Sequence, residues 1–228
     1  MMHQLIDRKL RLFFYLILFL LLSTQISKNN NIKNKLNSVE VIGLSEENNF
    51  KVYESLEFLL TESIFFINEK KLQNILKKNN LIDYFYVKKI YPNSIKVKIK
   101  QTDLLAITSQ NSKKFYIGSN GKLISINQIK DVNSNLPFVY SKSNYIDFVK
   151  LKKIIDKSKF QFEEIESFYY FPSSRWDFKT NKGMLIKLPK KNILESLQFA
   201  DLIKTNVQFK NNKIIDLRIS NRIITTNE

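Results

Sequence analysis

The chain has 228 residues and a formal net charge of +16, with 37 Lys and Arg against 21 Asp and Glu. It has no cysteine and a single histidine, His3, which excludes disulfides, thiol nucleophiles and cysteine metal sites and disfavours His-based triads. The lysines are spread along the whole sequence, without an Arg-rich helix or a Gly-rich or aromatic nucleic-acid signature. The charge either reflects a composition biased toward Lys, Asn and Ile, or forms a face near an anionic membrane, and both explanations are favoured over a nucleic-acid binder.

An apolar segment follows the basic N-terminus. No charge occurs from Leu12 to Ile26, and a helix over that stretch is roughly 22 Å long, short for a bilayer core of about 30 Å. Arg11 and Lys28 can snorkel and extend it. The exit lacks an Ala-x-Ala cleavage pattern, so an uncleaved single-pass anchor over residues 12–28 is favoured over a cleaved signal peptide. The N-terminal tail is then cytoplasmic and the rest lies outside.

The segment after the polar tether "SKNNNIKNKL" predicts the element order β-α-α-β-β. "SVEVI" and "IKVKIK" alternate apolar and polar residues as half-buried strands do, and two amphipathic helices lie between them. Asn68 is a candidate N-cap of the second helix, and Pro92-Asn93 marks a turn before the last strand. The expected apolar faces comprise Val39, Val41, Val52, Leu56, Leu59 or Leu60, Ile67, Leu72, Ile75, Leu76, Val87, Ile90, Ile95, Val97 and Ile99.

This segment resembles a POTRA domain, a module that binds partners and carries no chemistry. The resemblance rests on "VEVIGL", "FINEKKLQNIL" and "YFYVKKIYPNSIKVKIKQTDLLAI". The chain departs from the family at Gln101-Thr102-Asp103, where Glu-Arg-x-Pro is usual.

The second half of the chain predicts strands and two helices. Asn120-Gly121 predicts a hairpin turn, "LPFVYSKSNY" a loop, and "YIDFVKLKKIID" a helix whose apolar stripe includes Ile146, Val149 and Ile154. "FEEIESFYYFP", "RWDFKT" and "GMLIKLP" read as consecutive strands with Trp176 in the core. The segment after them predicts an amphipathic helix capped by Asn192, with Ile193, Leu197, Ala200 and Ile203 on one face, before "NKIIDLRI" and "NRIITT".

The set "RWDF", "GMLIKLPKKN" and "IIDLRISNRI" resembles the C-terminal β domain of the FtsQ/DivIB family of bacterial cell-division proteins. The resemblance implies an α+β protein: a cytoplasmic tail (1–11), a transmembrane helix (12–28), a tether (29–37), a β-α-α-β-β POTRA domain (38–103) and a mainly antiparallel β domain with flanking helices (104–226). It implies a non-enzymatic scaffold without cofactor or metal, in the inner membrane at the division site, with its bulk periplasmic. FtsB and FtsL are the implied partners.

The resemblance also implies that a partner adds a strand to an edge near residues 218–223. The candidate binding residues are Arg218, which matches a position that pairs with an acidic partner residue, Ile219, Asn221, Arg222 and Ile223. Arg218→Glu is expected to weaken partner capture while leaving folding nearly intact, because an exposed edge charge contributes little to stability. Alternatives are a POTRA-bearing membrane-assembly or transport factor, a secreted enzyme and a nucleic-acid binder.

Overall fold

The computed structural model begins with a long helix and describes residues 8–28, 35–129, 135–141, 145–205, 213–219 and 222–226. The helix α1 covers Arg8–Lys28, and its large apolar side chains between Leu10 and Leu22 are 40–73% exposed. Among the described residues, no helix combines the length and the apolar character that crossing a membrane requires. The membrane-spanning segment stays a prediction.

The first unit is built from five elements in the predicted order. They are β1 (Ser38–Ile42), α2 (Glu46–Leu56) continued by a 3-10 turn (Glu57–Thr61), α3 (Glu69–Lys78), β2 (Ile82–Ile90) and β3 (Ser94–Gln101). The sheet order is β1-β3-β2, and β1 runs parallel to β3. The Asn68 side chain accepts a hydrogen bond from Lys71 N at 3.0 Å, which confirms the predicted cap.

The core of the first unit confirms most of the predicted apolar faces. Val52, Leu56 and Leu59 are buried on one side of α2 and its continuation, and Ile95 and Val97 are buried on β3. The prediction that Ile90 belongs to the core is wrong, because Ile90 is 41% exposed. Side chains alternate along a strand, so Ile90 lies on the opposite face of β2 from the half-buried Val87.

The second unit contains a mixed sheet of nine described strands. These are β4 (Leu104–Gln110), β5 (Lys113–Gly118), β6 (Leu123–Ser125), β7 (Phe138–Tyr140), β8 (Ile165–Phe171), β9 (Arg175–Thr180), β10 (Leu185–Lys187), β11 (Ile214–Asp216) and β12 (Ile224–Thr226). Their order is β12-β11-β10-β9-β8-β7-β4-β5-β6. The β7–β8, β7–β4 and β10–β11 pairs are parallel and the remaining pairs antiparallel.

One face of this sheet carries the core. Cross-strand register aligns Val139, Phe168, Phe178, Ile186 and Ile215, and all five are fully buried. Two helices, α4 (Ile146–Ile155) and α5 (Ile193–Thr205), contribute further core side chains, which include Leu151, Ile155, Leu197 and Ala200. The remaining face of the central strands is therefore free to carry polar residues.

The central aromatic cluster confirms the predicted role of Trp176. The Phe148 ring of α4 lies 5.1 Å from the Phe168 ring and 5.9 Å from the Trp176 ring, centroid to centroid. Trp176 is only 6% exposed. These contacts pack α4 against β8 and β9, two strands near the middle of the sheet.

Two predictions for the second unit are wrong, and one strand has no counterpart in the sequence analysis. Residues 138–140, predicted as part of a loop, form β7, and β4 is the strand that was not predicted. Val139 is fully buried in β7, between two parallel neighbours supplied by distant parts of the chain. Ile146 was expected on the apolar stripe of α4 but is 52% exposed, because the buried face is formed by Phe148, Val149, Leu151 and Ile155. The side chain of Ile203 lies outside the described part of α5.

Candidate partner-docking edge

The strand β12 is the last strand of the nine-stranded sheet. Its residues pair with β11 in antiparallel register, Ile224 opposite Asp216 and Thr226 opposite Ile214. Within the described residues no strand pairs with the other side of β12. Strand edges of this kind present N–H and C=O groups that another chain can pair with.

The opposite end of the sheet is arranged differently. There, at β6, the Leu123 carbonyl accepts a hydrogen bond from the Asn80 side chain at 2.8 Å. The Asn120 side chain in turn donates to the carbonyls of Asn80 and Ile82, at 3.0 Å each. Residues 77–84, which include Asn80 and Ile82, pack with the second unit. Side chains of this unit therefore cover part of the β6 edge, which makes β12 the better candidate for pairing.

A short link joins β11 to β12 and contains the predicted site residues. Leu217 N donates to Lys187 O at 2.9 Å, which extends the pairing of β10 and β11 by one bond. Arg222 N donates to Ile219 O at 3.2 Å and turns the chain back toward β12. Arg218, Ile219, Arg222 and Ile223 thus lie just before the edge strand. Asn221 lies outside the described residues.

A groove of about 340 Å³ lies between this link and the first turns of α5. It brings together three of the predicted residues, Ile219, Arg222 and Ile223, while Arg218 does not line it. The other lining residues are Pro189, Lys191, Asn192, Glu195, Ser196, Phe199 and Leu217. Phe199, Ile219 and Ile223 are 55%, 52% and 42% exposed, so the groove offers apolar contacts with a charged rim.

Phe199 was not identified from the sequence, although a signal was present. It lies outside the apolar stripe of α5, on which Leu197 and Ala200 are buried. A large aromatic residue on the polar side of an amphipathic helix is a candidate for contact with a partner.

The carboxylate of Asp216 holds Arg218 in place. Arg218 Nε donates to both carboxylate oxygens, at 2.8 and 2.9 Å, its Nη2 donates to Oδ2, and its backbone N donates to Oδ1 at 3.1 Å. The Asp216 side chain is 11% exposed and that of Arg218 is 40% exposed. The hydrogen bonds from Arg218 hold the pKa of Asp216 below its ordinary value, against the opposing effect of burial.

This ion pair changes the expectation for Arg218→Glu. The sequence-based prediction of nearly intact folding assumed that the edge charge is exposed and independent. The structure makes Arg218 the partner of a buried carboxylate, so the substitution leaves that carboxylate unpaired and adds a second negative charge.

A second carboxylate, Asp177, lies in the same cross-strand row as Asp216. In the cross-strand register, Lys187 of β10 lies between Asp177 of β9 and Asp216 of β11. Asp177 is 3% exposed and its Oδ1 accepts from Arg175 Nε at 3.3 Å. Burial raises the pKa of Asp177, and the positive charges of Arg175, Arg218 and Lys187 oppose that rise. This row of alternating charge was not predicted, because it depends on the pairing of strands that are distant in sequence.

The chemistry of this region suits binding. It combines backbone groups at an edge, exposed apolar side chains and the guanidinium group of Arg218, which Asp216 holds in place. Together these groups can pair with, pack against and orient an extended segment. Among the described residues, no three or more His, Asp or Glu side chains come together in a way that could hold a metal ion.

Comparisons with known proteins bear on both units. The family model described as "Cell division protein FtsQ/DivIB, C-terminal" matches residues 106–218, and "POTRA domain, FtsQ-type" matches residues 34–101. The cell division protein FtsQ of Rickettsia bellii is 30% identical over 190 residues, which is 82% of this chain and 70% of the relative. FtsQ of Rickettsia conorii is 26% identical over 195 residues, with the same shares of each chain.

A solved structure adds a more distant likeness. It is the major extracytoplasmic domain of the trans isomer of the bacterial cell division protein DivIB from Geobacillus stearothermophilus. It aligns with a TM-score of 0.35 and 13% identity, over 48% of this chain and 96% of the other, and supports no inference about function. The two family models and the Rickettsia relatives are sufficient: the chain belongs to the FtsQ/DivIB family of cell division proteins.

Proposed function

We propose that the chain is a scaffold of the bacterial divisome that recruits FtsB and FtsL and links them to septal peptidoglycan synthesis. A segment of the partner pairs as an added strand with the outer edge of β12. The observation that carries the proposal is the position of β12 at the end of the sheet, with no strand on its outer side among the described residues. Backbone hydrogen bonds supply affinity in this mode, and neighbouring side chains select the partner.

Side chains of the link between β11 and β12 and of α5 are proposed to select the partner. The exposed side chains of Ile219, Ile223 and Phe199 form an apolar floor for a partner side chain. Arg218 uses its Nε and Nη2 on Asp216, which leaves further guanidinium donors for an acidic residue of the partner. Asn221 and Arg222 are proposed contacts by their position in the link.

We propose that residues 12–28 hold the protein in the inner membrane. The tail of residues 1–11 is then cytoplasmic, and the units at 38–103 and 104–226 are periplasmic. The apolar side chains from Leu12 to Leu22 are exposed in the structure, and Arg11 and Lys28 flank them at either end. Extraction of cell membranes with alkaline carbonate tests this: the protein should remain with the pellet, and release into the supernatant would contradict it.

A proline scan of β12 tests strand addition. Successive N–H groups of a strand point to opposite sides, so proline at Thr225 and proline at its neighbours Ile224 and Thr226 remove donors from different sides. Proline variants that remove an outward-facing N–H should abolish co-purification with FtsB and FtsL of the same organism while keeping the melting temperature. Proline variants that remove an N–H facing β11 should lower the melting temperature.

The control substitution is Thr225→Ala, which keeps the backbone donor and should retain the partners. Partner capture by every folded proline variant would show that the outer edge of β12 is not used. Failure of Thr225→Ala to bind would assign recognition to the side chain instead.

A further inference from the structure

A tight turn of the first unit projects two phenylalanines into solvent. Phe65 is 61% exposed and Phe66 is 85% exposed, whereas the flanking Ile64 and Ile67 are 0% and 8% exposed. Phe66 N donates to Ser63 O at 2.9 Å and closes the turn. The two isoleucines anchor the turn in the core, so the phenylalanines between them are held outward by a well-packed backbone.

A third aromatic side chain completes this feature. Tyr91 is 62% exposed, and its ring centroid lies 5.8 Å from that of Phe65. We call Phe65, Phe66 and Tyr91 the aromatic tip. Three large rings in contact with water contribute little to the core of the unit. A clustered apolar patch of this kind indicates a surface that binds another protein or a membrane.

The aromatic tip lies at the end of the unit where the chain arrives from α1. Lys35 forms an antiparallel bridge with Ser63, and Leu36 N donates to Glu62 O at 3.1 Å. Asn37 N donates to Asn93 O at 2.8 Å, two residues beyond Tyr91. The entering segment is therefore hydrogen-bonded to both loops that carry the tip.

The length of the connection keeps this end of the unit near α1. Only residues 29–34 separate the end of α1 at Lys28 from Lys35. A fully extended connection of that length spans at most about 25 Å. If α1 is held in a membrane, the aromatic tip is within reach of the surface of that membrane.

We propose that the aromatic tip seats the first unit on the lipid surface, with its rings in the headgroup region of the bilayer. This inference rests on the proposed anchoring by α1. Aromatic side chains are enriched at the membrane–water boundary. Lys35 is exposed where the described part of the unit begins, and its charge is complementary to anionic lipid headgroups. The half-buried Glu62 accepts a hydrogen bond from Asn68 N at 3.4 Å, which directs one of its oxygens toward the protein.

The size of the tip favours lipid over a protein partner. Each aromatic side chain can bury about 150–250 Å², so three of them offer a few hundred Å². A standard protein interface needs roughly 800 Å² from each partner. Insertion of a few rings into an interface already reached through an anchor has no such requirement, because the anchor supplies the affinity.

The chain offers a direct way to test this, since it contains no cysteine. Phe66→Cys introduces a single thiol for an environment-sensitive NBD label on the full chain, reconstituted into phosphatidylethanolamine–phosphatidylglycerol vesicles. The matched control is Phe50→Cys, which replaces another exposed phenylalanine (59%) on α2 of the same unit. Flotation of the vesicles reports anchoring separately from the label.

The expected result is flotation of both variants, with a blue shift and quenching by spin-labelled lipid for the Phe66→Cys label alone. Flotation with an aqueous spectrum at position 66 overturns the seating of the tip and leaves the anchor in place. Absence of flotation overturns both. A blue shift at position 66 that requires added FtsB or FtsL assigns the tip to a protein partner and overturns the lipid proposal.

Discussion

Replacement of Arg218 by glutamate tests whether the docking edge depends on an internal ion pair. The substitution removes the hydrogen bonds to Asp216, whose side chain is 11% exposed, and places a second carboxylate beside it. Breaking a buried pair costs about 3–5 kcal/mol. The Arg218 side chain is 40% exposed, so solvent screening reduces this to about 1–3 kcal/mol. For a unit of this size, the melting temperature should fall by about 3–10 °C.

The pH dependence distinguishes this ion pair from general surface effects. The pKa of Asp216 is lowered in the folded state, so its contribution to stability is present above the unfolded value of about 3.9 and is lost as pH falls through the lower folded value. The difference in melting temperature between the wild type and Arg218→Glu should be full at pH 7 and shrink below about pH 4.

The assay is thermal unfolding followed by far-UV circular dichroism, with Arg222→Glu as the control. Arg222 is exposed in the same link, and the same charge reversal there should leave the melting temperature nearly unchanged. Asp216→Asn combined with Arg218→Glu should recover part of the loss. Equal melting temperatures for Arg218→Glu and Arg222→Glu at pH 7 would refute the role of the ion pair.

Three further changes test the core and the buried charges. Trp176→Ala should cost about 3–5 kcal/mol because the indole packs on Phe148 and is 6% exposed; unchanged denaturant unfolding would contradict its core role. Gly43→Ala should destabilise the first unit, because φ is 119° and an added Cβ would lie 1.8 Å from Ile99 O; normal thermal unfolding would exclude that close approach. Asp177→Asn should stabilise the protein relative to the wild type more at pH 7 than at pH 3, because the raised pKa of Asp177 means that its ionised form is penalised in the folded state; a gain that is larger at pH 3 would contradict this.

Local periodicity explains what the sequence predicted correctly. The alternation at Ile95, Val97 and Ile99 and the stripe at Leu72 and Leu76 depend only on neighbouring residues, and both are buried as expected. The hairpin at Asn120-Gly121 is also a local signal, and Gly121 adopts φ 74°.

Features that depend on distant partners were missed. The three-residue strand β7 has no periodic signal, and its conformation is stabilised by parallel pairing of Phe138 with Ile107 and Ser167. Arg218 was predicted as an exposed charge, since nothing within a few residues reveals that Asp216 is buried between β10 and β12. The exposure of Ile90 is a local effect, because Ile90 follows Val87 by three residues on β2 and therefore lies on the opposite face of the strand.

Hydrogen–deuterium exchange of the full chain, with and without FtsB of the same organism, tests the central proposal most directly. Strand addition predicts that outward-facing amides within Ile224–Thr226 gain strong protection on binding, with smaller changes in the preceding link. Binding that protects another surface and leaves the exchange of β12 unchanged would contradict docking at this edge.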